Sequence, residues 1–242
     1  MKTRADLLLV ERGFFPSRAK AREAIEAGLV LVNGVAIKKP SDMIAQDARV
    51  EAQKPYPWVS RGGLKLEAGL ARFNIDAKNR ICLDVGSSTG GFTDVLLAKG
   101  AQKVFAVDVG QGQLHEKLRA DRRVVSLEQT DARHLDRMLV PDMPSLVVCD
   151  ASFISLKLVL PKALELAAPE AFLVALIKPQ FEAGRAAVRE GKGVVRDEAI
   201  HEAVCEDLAK WLAETGWSVL GIVPSPIEGG EGNREFLIGA QK

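Results

Sequence analysis

Four acids stand at or just beyond the ends of consecutive predicted strands: Asp84, Asp108, Asp131 and Asp150. After Asp84 comes a run of small residues, Gly86-Ser-Ser-Thr-Gly90-Gly91, and then a helix pattern from Phe92 to Lys99. In an open α/β sheet, ligands sit outside the carboxyl ends of the strands. Glycines there let a ligand approach the backbone, and Asp108, ending the next strand, can accept hydrogen bonds from ribose hydroxyls. The pattern points to a nucleoside-containing ligand. One glycine loop alone is more often a structural turn, but four strand-end acids in succession are not explained as turns. The loop lacks G-x-G-x-x-G and the Lys-Ser/Thr of a P-loop, so it offers no pyrophosphate site. A fifth strand ends in Leu176-Ile-Lys178-Pro-Gln-Phe-Glu182, which puts Lys178 in the same crevice as Asp150.

These residues need a sheet to hold them. Strands are predicted at 80–84, 103–107, 124–127, 145–149 and 172–177, with helices between them, the clearest from Leu156 to Ala168. A Gly- and charge-rich loop spans Phe181 to Arg196. A long helix, Asp197 to Thr215, opens with Asp197 as N-cap. Two further runs, Trp217 to Val223 and Arg234 to Ile238, form a hairpin-like pair. The sum is a doubly wound, mostly parallel seven-stranded sheet with an antiparallel edge. Ahead of it, Arg61 to about Phe73 reads as a helix with Leu66, Leu70 and Phe73 on its apolar face and Lys65 one residue off it.

The first 52 residues differ in character. Residues 1–60 carry ten Lys and Arg against seven Asp and Glu, whereas the whole chain has a net charge of +1. That bias hints at a polyanion. A short helix over Ala5–Arg12 is followed by a second from Arg18, with Ser17 as N-cap and Gly28 as its stop. Ala19, Ala24, Ile25 and Ala27 are expected on its apolar face. Two apolar runs flank Asn33-Gly34, a strong hairpin signal, and 48–52 adds a strand. This segment resembles an S4-type RNA-binding domain through Ser17-Arg18-Ala19-x-Ala21 and Ile25-x-x-Gly28-x-Val30-x-Val32-Asn33-Gly34. Basic residues on one face neutralise phosphates. Those expected to do so are Arg18, Lys20, Arg22, Lys38 and Lys39, with Arg4 and Arg61. The division expected is 1–52 for this domain, 53–61 for a Pro-stiffened linker, and 62–242 for the sheet domain. Tyr56 and Trp58 are expected to pack the two domains together.

The loop and its acids resemble the S-adenosylmethionine site of class I methyltransferases, a Rossmann-like fold. The resemblance implies that Asp84, Gly86, Ser87, Ser88, Thr89, Gly90, Gly91 and Phe92 border the methionine part. Asp108 with Val109 would take the ribose, Asp131 with Ala132 the adenine, and Asp150 would lie beside the sulfonium. Adding Lys65 and Glu235 to Asp150 and Lys178 gives the Lys–Asp–Lys–Glu pattern of RrmJ/FtsJ-like ribose 2′-O-methyltransferases. A ribose hydroxyl must lose its proton as it attacks. A neutral amine can take it, and burial beside a second cation favours the neutral form. Across its length the chain resembles the TlyA/hemolysin A family. The carriers are Trp58-Val-Ser-Arg-Gly-Gly-Leu-Lys65, Asp84-x-Gly-x-Ser-Thr-Gly-Gly-Phe-Thr93, Asp108-Val-Gly-x-Gly-Gln-Leu114, Ser152-Phe-Ile-Ser-Leu156, Lys178-Pro-Gln-Phe-Glu182 and Gly232-Asn-x-Glu235. The resemblance implies methylation of a cytidine 2′-OH in ribosomal RNA, and the short C-terminal end implies the large-subunit (23S) RNA alone. The competing readings are a non-catalytic, ribosome-associated RNA-binding factor and a haemolysin; the complete set of acids and lysines argues for the enzyme.

Other classes are disfavoured. No apolar run reaches the ~18 residues of a membrane span, and the N-terminus does not read as a signal peptide. Cys82, Cys149 and Cys205 lack CxxC spacing and suit a reducing compartment. His115, His134 and His201 lack metal-ligand spacing. A cytoplasmic protein without a metal is expected.

Overall fold

The computed structural model describes residues 2–184 and 193–242. They divide into two compact units, the first ending at Pro57 and the second beginning at Trp58. Part of the loop expected at Phe181–Arg196, residues 185–192, lies outside the described residues.

The first unit runs β1 (Lys2–Arg4), α1 (Ala5–Glu11), α2 (Arg18–Glu26), β2 (Val30–Val32), β3 (Val35–Ala36), β4 (Met43–Ala45) and β5 (Val50–Ala52). Strands β3-β2-β5 form one antiparallel sheet, and β1 pairs with β4 in another. Ser17 caps α2 by accepting from Lys20 N. Asn33 and Gly34 both have positive φ, +51° and +79°. That backbone matches the right-handed twist of the flanking strands, so it closes a two-residue hairpin. The buried face of α2 is Ala21, Ala24 and Ile25. Ala19 and Ala27, expected there, are exposed. Spacings of three and four from Ala21 define the stripe, and residues 19 and 27 fall off it. β1 and β4 are too short to leave a periodic signal.

The second unit begins with α3 (Gly62–Arg72). It continues β6 (Ile81–Val85), α4 (Gly91–Ala98), β7 (Lys103–Val107), α5 (Glu116–Arg119), β8 (Val124–Leu127) and β9 (Leu146–Cys149). Then come α6 (Leu156–Val159), α7 (Pro161–Leu166), β10 (Phe172–Ile177), α8 (Pro179–Glu182), α9 (Glu198–Glu214), β11 (Ser218–Pro224) and β12 (Phe236–Gln241). The sheet order is β11-β12-β10-β9-β6-β7-β8. Strands β10, β9, β6, β7 and β8 pair in parallel; β12 is antiparallel to both β10 and β11. The antiparallel strand is therefore inserted one place in from the edge, where a plain antiparallel edge was expected. Alternate residues face opposite layers: Leu83 and Val85 pack with Leu160 and Leu208, while Cys82 packs with Leu66 and Leu96. The single helix expected over Leu156–Ala168 is two, α6 and α7. Pro161 has no N–H to continue the first and starts the second.

Two features of this topology build a site. The chain moves outward from β6 to β7 and β8, then returns to lay β9 on the other side of β6. The strand order reverses there, and a crevice opens at the carboxyl ends of β6 and β9. Register supplies the second feature. Ile177 of β10 pairs with Phe236 of β12. Lys178, leaving one strand, and Glu235, entering its antiparallel neighbour, thus reach the same end of the sheet.

Candidate active site

Gly86 follows β6 at φ +80°. A side chain there would put a Cβ 3.0 Å from backbone atoms of Asp150 and Ala151. Glycine is what lets the β6 and β9 ends close together. The amides of Gly86 and Ser87 donate to Val107 O at 2.9 and 3.0 Å, and Ser88 N donates to Asp108 Oδ2 at 2.8 Å. Asp108 Oδ1 accepts from Gly110 N at 2.7 Å. Its carboxylate is held by one backbone amide per oxygen, leaving further lone pairs toward solvent. At Gly91 a Cβ would lie 2.2 Å from Ser60 Oγ, so the start of α4 fits tightly under the segment that leads into α3. Asp94 of α4 anchors that segment by accepting from Val59 N at 2.9 Å.

The crevice is a cleft of about 480 Å³, within the usual ~300–1,000 Å³ of small-molecule sites. Of the residues expected around a cofactor, Gly86, Ser88, Asp108, Val109, Asp131, Ala132 and Asp150 line it. Ser87, Thr89, Gly91 and Phe92 line an adjoining recess of about 240 Å³, which shares Gly86, Ser88, Asp150 and Ser152 with the cleft. Gly90 lies on neither wall: it packs under Leu114 and Leu118.

Asp84 also lies on neither wall, contrary to expectation. β6 extends one residue past it, so its side chain stays inside the fold, fully buried, and accepts from Thr93 Oγ1 at 2.6 Å. Its other oxygen has no hydrogen-bond partner among the described residues. Burial pushes this carboxyl up to about 7 from its ordinary 3.8, opposed by the Thr93 bond and reinforced by Asp150 and Asp108. A raised acid means the folded chain binds the extra proton between about pH 4 and 7. Stability is then highest below that window, falls as pH rises through it, and levels off above 7. Asp84→Asn removes this slope, an effect of the order of a few kcal/mol. The check is thermal unfolding from pH 4 to 8: the stability of the Asn variant relative to the parent should grow with pH, and a pH-independent difference would contradict the assignment.

Asp131 caps a single turn at Ala132–His134 and is gripped by Arg133, whose Nε and guanidinium nitrogen reach both oxygens at 2.6–3.0 Å. That bond holds the carboxyl down at about 2. Arg133, Gln113 and Phe153 line the cleft and were not anticipated. Phe153 is 90 % exposed. Its φ of +66° is unusual for a bulky residue, and its ring lies 5.1 Å from that of Phe181. An aromatic pair at the lip of a cleft offers a stacking face to a base. The sequence signal that could have found it is the aromatic residue three positions after a strand-end acid, in Asp150-Ala-Ser-Phe153.

The recess brings the chemistry-bearing residues together. Lys65, Asp150 and Lys178 all line it. Lys178 Nζ lies 2.6 Å from Asp150 Oδ1 and 2.8 Å from Ser152 Oγ. Lys65 Nζ lies 2.5 Å from Glu235 Oε2. The lysines are 6 and 7 % exposed and Glu235 is 3 % exposed, so Lys65–Glu235 is a buried ion pair; Lys178 is buried too, but the side chain of its partner Asp150 is 20 % exposed. Glu235 stands behind Lys65 and is not on the recess wall. Arg61 is exposed at the recess rim. The expected RNA contacts of the first unit differ in kind. Arg4 and Arg18 both donate to Asp6, which is 1 % exposed and held well below the usual carboxylate range by Arg4. Lys20 contacts Glu23 and Tyr56. Arg22, Lys38 and Lys39 are exposed. Tyr56 bonds within the first unit and Trp58 within the second, where its ring covers Gly63 and its Nε1 faces Glu67.

A reversed strand order, an inserted antiparallel strand and strand-end acids around one cleft define a methyltransferase-type α/β domain. Comparison with known families agrees. A model described as FtsJ-like methyltransferase matches residues 58–242, and an S4 domain model matches residues 3–50. A 16S/23S rRNA (cytidine-2′-O)-methyltransferase TlyA from Mycobacterium tuberculosis is 43% identical over 98% of this chain and 89% of its own length. A protein named as an inferred rRNA methyltransferase, YqxC of Bacillus subtilis, is 46% identical over 98% of this chain and 85% of its own. A solved structure described as an inferred hemolysin from Streptococcus thermophilus is 44% identical, with a TM-score of 0.78 covering 100% of this chain and 88% of that one. The chain belongs to the TlyA/hemolysin A family of S4-containing FtsJ-like methyltransferases.

Proposed function

We propose that this protein transfers a methyl group from S-adenosylmethionine to the ribose 2′-OH of a cytidine in ribosomal RNA. The observation that carries the reading is the close pairing of buried Lys178 with Asp150 at the junction of the cleft and the recess. One space suits a nucleoside-bearing donor, and the other gives an acceptor access to an amine.

The cleft fits the donor. Asp108 and Asp131 present carboxylate oxygens to ribose hydroxyls and an adenine amino group, and Val109, Ala132 and Ile154 supply apolar walls. Gly86 and Ser88 would border the methionine part. When bound, S-adenosylmethionine supplies a methyl group made electrophilic by its sulfonium. The chain's own residues deal with the acceptor. Lys178 takes the proton of the 2′-OH as that oxygen attacks. Asp150, with Oδ1 2.6 Å from Nζ, holds that nitrogen in place by charge. Lys65, held by Glu235, places a second nitrogen on the recess wall to orient the hydroxyl. Excluding bulk water strengthens each of these contacts.

In this reading residues 1–52 bind RNA, 53–61 link, and 62–242 catalyse. Arg22, Lys38, Lys39 and Arg61 meet phosphates directly. Arg4, Arg18 and Lys20 keep exposed edges but owe their positions to Asp6 and Glu23. The protein works where ribosomes are made, in the cytoplasm. No helix among the described residues is long and apolar enough to cross a membrane, so no helical span supports a haemolysin.

The test is transfer of labelled methyl from S-adenosylmethionine to small and large ribosomal subunits purified from cells lacking this protein. Label in RNA recovered as 2′-O-methylcytidine supports the proposal, and label confined to the large subunit supports the narrower 23S assignment. Absence of label from both subunits overturns it.

A further inference from the structure

We propose that Ser152 is a positioning residue that aims the Lys178 amine at the acceptor hydroxyl. The inference rests on the reading of Lys178 as proton acceptor. Nζ donates a hydrogen bond to Ser152 Oγ at 2.8 Å. Asp150 Oδ1 lies 2.6 Å from Nζ, yet among the described residues that oxygen has no hydrogen-bond partner, so the contact holds the nitrogen by charge and does not fix its orientation. A hydrogen bond is directional, and the one to Ser152 limits how the amine can turn. Ser152 and Lys178 both line the recess, so the nitrogen is oriented within the space where an acceptor enters.

Ser152 has support suited to the task. It lies between β9 and α6, and Glu182 straps that connection down. Ser155 Oγ donates to Glu182 Oε2 at 2.6 Å and Leu156 N donates to Oε1 at 2.8 Å. Glu182 ends α8, which begins directly after Lys178. The carboxylate therefore ties the segment carrying Ser152 to the segment carrying Lys178. Immediately after Ser152, Phe153 turns the chain through its positive φ. Strain of that kind persists only where neighbouring contacts over-determine the backbone.

The experiment compares steady-state methylation of unmethylated large subunits by the parent protein, Ser152→Ala, Ser152→Thr and Lys178→Ala. A misaimed proton acceptor costs turnover, by about 10- to 100-fold. Ser152→Ala should lower kcat by that factor and leave KM for S-adenosylmethionine and for the subunit within about twofold, a split that loss of structure would not produce. Ser152→Thr keeps the hydroxyl and should recover most of the rate. Calorimetric binding of S-adenosylmethionine to each variant reports the integrity of the fold. An Ala variant with parental kcat overturns the inference, as does a Thr variant no better than Ala. If Lys178→Ala is inactive while Ser152→Ala is fully active, only the role of Ser152 falls. If Lys178→Ala itself turns over normally, the reading beneath it falls.

Discussion

Lys178→Ala should lower kcat by about 10²- to 10⁴-fold, the usual contribution of a positioned general base, with S-adenosylmethionine binding retained. The donor cleft and the lysine are adjacent but distinct: Lys178 lines the recess and does not line the cleft that holds Asp108 and Asp131. Lys178→Arg separates two roles for the cation. A guanidinium can still pair with Asp150 and keep the local charge, but it does not deprotonate in a protein. An amine that works by taking a proton is lost in both variants. An amine that works only as a positive charge would be rescued by arginine. Both variants are expected to be inactive in single-turnover methylation, and an arginine variant with more than a tenth of the parental rate would contradict the proton-acceptor role.

Glu235→Ala should be the most destabilising of the site substitutions. It leaves the Lys65 ammonium, 6 % exposed, without its partner at 2.5 Å. Breaking a buried pair from one side costs about 3–5 kcal/mol. In a domain of this size that corresponds to a fall in Tm of roughly 6–20 °C. Replacing both partners with apolar residues of similar volume is often neutral, so Lys65→Met combined with Glu235→Leu should regain most of the lost Tm. It should not regain methylation, because the recess then lacks the Lys65 nitrogen. The two readouts separate a structural pair from a functional one. A double variant that is both stable and active would show the pair to be dispensable scaffolding. A single variant within about 1 kcal/mol of the parent would show that Lys65 reaches water.

Much of the scaffold was legible because it is written locally. The caps Ser17 and Asp197, the Asn33-Gly34 turn and the strands at 103–107, 124–127 and 172–177 depend on neighbours a few residues away. Strand-end acids were legible for the same reason: a short apolar run followed by Asp names both the strand and its end. Asp84 shows the limit of that logic. Ending β6 one residue early moves its side chain from the interior to the cleft, since strand residues alternate in direction. The break at Pro161 was also local, yet the apolar periodicity continues across it and suggested one helix. Residues brought together by tertiary contact left no local mark. Lys65 and Glu235 are 170 positions apart, and only family resemblance paired them. The grip of Arg133 on Asp131, the contact of Ser152 with Lys178 and the Glu182 strap depend on how loops fold over the sheet ends. The same holds for Arg4 and Arg18, which look like phosphate ligands in sequence and converge on buried Asp6 in the structure.

The central claim is that the methyl group goes to a ribose oxygen with Lys178 as the proton acceptor. Alkaline hydrolysis of the methylated RNA tests it most directly, because cleavage of a phosphodiester needs the free 2′-OH beside it. Ribosomal RNA treated with the parent protein and S-adenosylmethionine should yield one alkali-resistant dinucleotide with a 5′ methylated cytidine. RNA treated with Lys178→Ala should yield none. A methylated product that alkali cleaves to mononucleotides would place the methyl group on a base, and a resistant dinucleotide made equally well by Lys178→Ala would remove the lysine from the reaction.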